Sequence, residues 1–178
     1  MPKYIAFLRA ISPVRVGKME RLKKLFEELG FANVETFISS GNVIFDSPSK
    51  NVRLLEERIE GHIEKSLGFE STTFIRTPAE VAAVARHNPF PDSEVNAKGT
   101  TLFVYFLADK PGEAAKKKLL SFNSKGNQFH VRGREVYWLC RTRFMESDFS
   151  GGRLEKILEM PATFRTSGTV KKLVEKYG

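Results

Sequence analysis

Apolar residues along the chain fall into two modes, short runs of strand length and longer stretches where they recur every three or four positions. "YIAFLRA" (residues 4–10) is a nearly continuous apolar run, closed by a proline-containing loop. In "KMERLKKLFEELG", Met19, Leu22, Leu25, Phe26 and Leu29 share one helical face, and Gly30 stands where the helix should stop. "VETFIS" and "NVIFDS" alternate as strands on either side of a Ser-Gly turn. "NVRLLEERIEGHIEKSLG" returns to helical spacing through Val52, Leu55, Ile59, Ile63 and Leu67, and "STTFIRT" gives a fourth strand. The order β-α-β-β-α-β is that of a ferredoxin-like split βαβ unit.

A connecting helix starts at Thr77-Pro78-Ala79-Glu80, where Thr77 can cap, Pro78 suits the first turn and Glu80 completes a capping box. The two prolines of "NPFPD" then mark a boundary. The second half repeats the order: strand "TTLFVYFLA", helix "GEAAKKKLLSF", strand "NQFHV", a turn at Arg132-Gly133-Arg134, strand "EVYWLC", helix "GGRLEKILEM" and strand "ATFRT". A last helix, "GTVKKLVEKY", closes the chain. Strand 101–107 is apolar on both sides, which calls for cover on both faces. The expectation is an α+β protein of two packed subdomains: a ferredoxin-like subdomain at 1–78, a connecting helix and proline-rich linker at 79–96, and a second α+β subdomain of similar order at 97–178.

Composition sharpens this picture. Of 178 residues, 41% are hydrophobic and fifteen are Phe, ample for a packed interior. The apolar run near the start is too short for a signal-peptide core or a membrane span, which points to a cytoplasmic protein without membrane attachment. Cys140 is the one cysteine, so an intramolecular disulfide and a cysteine-rich metal site are excluded. The net charge of +8 is uneven, +2 over residues 1–90 and +6 over 91–178. A basic half favours anionic partners, though solvated lysines also serve solubility.

The motifs in "YIAFLRAI…KMERLKKLFEELGFANVETFISSGNVIF", "HNPF", "REVYWLCRTR…ES" and "ATFRTSGTVKKL" closely resemble, in order, those of the domain-of-unknown-function family numbered 1697. The resemblance implies the fold and no established activity. This chain has Arg9-Ala10-Ile11-Ser12 where the family has Arg-Gly-Ile-Asn, and Arg165-Thr166-Ser167-Gly168-Thr169 where it has Arg-Asn-x-x-Thr. Two amides are thus replaced by hydroxyls.

Enzyme signatures are missing: there is no nucleophile elbow, Walker loop, zincin motif or dinucleotide fingerprint, and no cofactor or metal is implied. His62, His87 and His130 are dispersed along the chain; His62 reads as structural, and His87 as a cap for the connecting helix. Cys140 reads as a small buried hydrophobe, and Glu27-Glu28 and Glu56-Glu57 as solvated helix faces. An RNA platform would need stacking aromatics on the middle strands, which "NVIFD" lacks, with Tyr4 and Phe7 on opposite faces of the first.

Parallel first and second strands put their C-terminal ends on one edge. Arg9 and the turn Ser39-Ser40-Gly41-Asn42 meet there, beside a loop carrying Ser12, Arg15 and Lys18 that feeds a helix N-terminus. That edge is the first candidate for an anionic ligand, phosphate or nucleotide-like; a purely local turn, with Arg9 paired to a carboxylate such as Asp46, is the alternative. Arg165, Thr166, Ser167 and Thr169 form a second candidate, with Ser167 as a cap for the last helix. The leading expectation is a binding protein for an anionic ligand. An enzyme of unidentified reaction is the first alternative. A basic module for nucleic acid or an acidic protein is the second, through Lys116, Lys117, Lys118, Arg132, Arg134, Arg141 and Arg143. Oligomeric state is not legible.

Overall fold

A computed structural model describes residues 1–142, 147 and 149–178. The chain divides into two compact units, Met1–Val81 with Tyr177–Gly178, and Ala82–Lys176. In the first, β1 (Lys3–Leu8), β2 (Ala32–Thr36), β3 (Asn42–Asp46) and β4 (Thr73–Arg76) form one antiparallel sheet in the order β2-β3-β1-β4. This is the expected split βαβ arrangement. Helices α2 (Met19–Glu28) and α3 (Val52–Leu67) supply Leu22, Phe26, Leu55, Ile59 and Ile63 to a core with Tyr4, Ala6, Leu8, Val43 and Phe45. The apolar spacing seen in the sequence is therefore the buried face of each helix. On the other face Ile5, Phe7, Ile44 and Phe74 are buried as well, so neither Tyr4 nor Phe7 is exposed to stack a base.

Several local expectations need correction. The stretch between β1 and α2 is not all loop: Pro13–Val16 form a helical turn, α1, whose N-cap Ser12 accepts from the Arg15 amide. Strand β2 ends at Thr36, earlier than the alternation suggested, because Ile38 turns left-handed at φ 60° and the Phe37 amide already closes onto Asn42. Glu56 is not solvated; it is buried and accepts from the Ile75 amide at 2.9 Å, which ties α3 to β4. Asp46 does not pair with Arg9. It lies opposite Lys3 at the far end of β1 and takes Lys3 Nζ at 3.3 Å and Asn33 Nδ2 at 2.8 Å.

Helix α4 (Pro78–Arg86) carries the capping box read from sequence: the Thr77 amide donates to Glu80 Oε1 at 2.9 Å, and the Glu80 amide to Thr77 Oγ1 at 3.1 Å. A short helix not foreseen, α5 (Asp92–Val95), follows the prolines. The second unit's sheet contains β5 (Thr101–Leu107), β6 (Asn127–Arg132), β7 (Glu135–Cys140) and β8 (Ala162–Thr166), in the order β6-β7-β5-β8. It repeats the first unit's topology strand for strand. Helices α6 (Glu113–Leu120) and α7 (Gly151–Leu158) contribute Leu119, Leu154, Ile157 and Leu158 to a core with Phe103, Tyr105, Leu107, Phe129 and Trp138. Trp138 is wholly buried, and its indole N–H reaches Asn127 Oδ1 at 2.9 Å. The opposite face of β5 and β7 carries Leu102, Val104 and Tyr137 toward α4 and toward α8 (Ser167–Tyr177). Among the described residues no helix is long and apolar enough to cross a membrane.

Candidate functional site

The edge singled out by the sequence is built first from backbone. The Leu8 amide donates to the Gly41 carbonyl at 2.9 Å, so the end of β1 and the β2–β3 turn do meet. Gly41 sits at φ 78°, and a Cβ there would stand 2.9 Å from Ile11 Cβ; only glycine fits. Asn42 is buried, its amide donating to the Phe37 carbonyl and to Ser40 Oγ, both at 2.9 Å. Ser12 caps α1, and Arg15 reaches back to the Ala10 carbonyl at 3.1 Å while lying over the Phe69 ring. Arg9 is half-buried and is not a free cation. Lys18 opens α2 without a side-chain cap bond and lines a shallow groove with Arg21 and Glu27. Ser39 is exposed. The end of β1 and the turn therefore meet: Ser40, Gly41 and Asn42 close the turn, and Ser12 and Arg15 hold the α1 segment beside it.

The second candidate segment is divided between structure and surface. Thr166, not Ser167, caps α8: its hydroxyl accepts from the Thr169 amide at 3.3 Å, because the helix begins one residue earlier than the spacing implied. Arg165 is buried, donating to Thr163 Oγ1 at 2.9 Å and the Phe164 carbonyl at 2.6 Å, and burial pulls its pKa down to about 10. Ser167, freed from capping, faces a cavity.

That cavity lies wholly within the second unit. Its apolar floor is Val84, Leu102, Val104, Tyr137 and Val170, and polar groups stand around it, among them Asn88, Asn96, Ser167 and Lys171. At about 40 Å³ it has room for about three waters. The segment over it is held in place: Arg141 donates to Glu94 at 3.2 Å and to Gln128 at 2.9 Å, and Tyr137 Oη donates to the Val84 carbonyl at 3.0 Å.

His87 and Asn88 also border a second, open bay, shared with Ala83, Arg86 and Arg132. Two of the three histidines dispersed along the chain meet here. His87 does not cap its helix; its Nε2 lies 3.0 Å from His130 Nε2, and both rings pack near Tyr137. Burial first, then the charges of Arg132 and His130, hold His87 below its ordinary pKa. Burial, then Lys116 and Arg132, do the same for His130. The alternation of "NQFHVR" puts His130 on the same strand face as Gln128 and Arg132, so half of this site was legible. Its meeting with the end of α4 is a tertiary contact that no local pattern encodes.

The seven cations proposed for a macromolecular partner do not act alike. Arg141 is engaged, Lys117 and Lys118 are exposed on α6, Lys116 and Arg134 are half-buried, Arg132 borders the bay, and Arg143 lies outside the described residues. No group of three His, Cys, Asp or Glu side chains among the described residues could hold a metal ion.

A family model described as "Protein of unknown function (DUF1697)" matches residues 1–137. No curated protein matches the chain. Among solved structures, a conserved bacterial protein, SP0830, from Streptococcus pneumoniae is similar over 99% of this chain and 98% of its own, with a TM-score of 0.73. At 20% identity that likeness is one of fold.

Proposed function

The chain belongs to the DUF1697 family of proteins of unknown function, and from that premise we propose that it is a cytoplasmic protein binding a small phosphate-type anion in the bay of its second unit. One observation carries this reading. Arg86 and Arg132 are exposed and border the same bay as His87, and among the described residues neither has a carboxylate bound to its guanidinium. Two forked donors that do not satisfy each other favour an acceptor with several oxygens. The +6 charge of residues 91–178 draws such ligands in.

Size narrows the ligand. The adjoining cavity admits a substituent of only a few heavy atoms and not a purine ring, against the several hundred Å³ usual for a whole ligand pocket. A nucleotide would have to leave its base outside the cavity. The better match is a compact phosphate compound with its anionic end in the bay and a small apolar part toward Leu102 and Val104.

Calorimetric titration with inorganic phosphate and with sulfate tests this. Binding is expected in the wild type, with a loss of at least tenfold in the Arg86→Ala, Arg132→Ala double variant. Equal affinity in both proteins would move the anion elsewhere.

A further inference from the structure

A pair of imidazoles can do what a pair of guanidiniums cannot, which is change charge near neutral pH. With the two Nε2 atoms 3.0 Å apart, one ring donates its N–H and the other accepts through a lone pair. That contact requires one facing nitrogen to be bare. If both carried protons, two donors would confront each other and the bond would become a repulsion.

Burial and the charge of Arg132 on both rings, with Lys116 on His130, reinforce this restraint. Arg86 comes from the end of α4, Arg132 from the end of β6 and Lys116 from α6. Tyr137 of β7 packs against both rings, with centroids 5.3 Å from His87 and 6.1 Å from His130. Of the carboxylates on these elements, Glu80 of α4 is held in the Thr77 capping box, Glu113 opens α6, and Glu135 of β7 lies opposite Arg132 in the β6–β7 register; Asp92 of α5 stands on the wall of the adjoining cavity. Glu135 has interactions of its own. The contact thus allows at most one positive charge on the pair, and its positive setting works against that charge.

We propose that the His87–His130 couple takes up a proton when a dianion enters the bay, so that His87, the member that borders the bay, becomes a donor to the ligand. This rests on the reading that the bay holds a phosphate-type anion, and it assigns the bay to dianions in particular. The proton comes from solvent and adds to the accepting Nε2. The His–His hydrogen bond is exchanged for an N–H bond from His87 to the anion, and the charge on the pair acts on the ligand from behind it. A dianion compensates the added positive charge together with part of the arginine charge. A monoanionic carboxylate compensates less, so the couple discriminates by ligand charge.

The sign of the pH dependence follows. Both histidines are held below their ordinary value in the empty protein, and the anion raises at least one of them. Protons are then bound more tightly in the complex, and affinity rises as pH falls between those two values.

Sulfate is the suitable probe, because it stays a dianion across the range in which histidine titrates. Calorimetry from pH 8 to 5.5, in two buffers of different ionisation heat, should show net proton uptake. Affinity should grow toward acid by up to about tenfold per pH unit for one proton. The Cε1–H resonances of His87 and His130 should show a raised midpoint in saturating sulfate. The His87→Gln, His130→Gln double variant should bind sulfate weakly and without pH dependence, whereas His62→Gln, remote in sequence and paired with Glu28, should keep the full profile. Sulfate binding with a flat profile and no buffer dependence would overturn the proton coupling and leave the anion site standing. Failure to bind sulfate at any pH would overturn both.

Discussion

The two units share a strand order, β2-β3-β1-β4 and β6-β7-β5-β8, and place a buried arginine on the fourth strand, Arg76 in one and Arg165 in the other. They differ in how their polar groups are used. In the first, Ser12, Arg15, Ser40 and Asn42 bond to backbone or to one another within a few residues. In the second, Arg86 and Arg132 border one bay with His87, whose ring meets His130, a residue forty-three positions further along the chain. A cluster closed by local bonds holds a turn. One assembled from distant elements, with its cations facing a bay, is equipped to hold a ligand.

The largest effects should come from the cores, where the units behave alike. Trp138→Ala removes a wholly buried ring and its bond to Asn127, and should cost about 3–5 kcal/mol in denaturant unfolding. Gly41→Ala comes next. Positive φ and the 2.9 Å approach to Ile11 add up to roughly 2–4 kcal/mol, with sulfate affinity unchanged. Asn42→Ala removes the buried amide's bonds to the Phe37 carbonyl and Ser40 Oγ and should cost about 1–3 kcal/mol, again without touching anion binding. A drop in sulfate affinity in either variant would erase the contrast between the units.

Much of this contrast could be read from the chain, and part could not. The helix faces through Leu22, Phe26, Ile59 and Ile63 followed from spacing, because burial of one stripe imposes that period. The Thr77–Glu80 capping box was legible because all its partners lie within one turn. The glycine at position 41 was also predictable as a turn residue, although its collision with Ile11 was not. Glu56 misled for the opposite reason: in a helix rich in acids, nothing local distinguishes the one that reaches the Ile75 amide. His87 and His130 misled likewise, since their partnership depends on where α4 ends against β6. Thr166 took the capping role from Ser167 by a shift of one residue, which local propensity cannot resolve.

Smaller effects separate the units more sharply. Thr77→Ala should cost about 1 kcal/mol through the cap alone. Arg86→Ala with Arg132→Ala should stay within about 0.5 kcal/mol of the wild type per site, since both are exposed, while anion binding collapses. Arg9→Ala should show the reverse pattern, some loss of stability and an intact sulfate response, because Arg9 is half-buried and already engaged.

The most direct measurement is a sulfate titration of isotope-labelled protein followed through its backbone amide resonances. The account predicts saturable shifts centred on residues 86–88 and 130–132, with the amides of residues 9 and 39–42 unmoved. Shifts centred on Arg9 and the Ser39–Asn42 turn, with the bay silent, would contradict it.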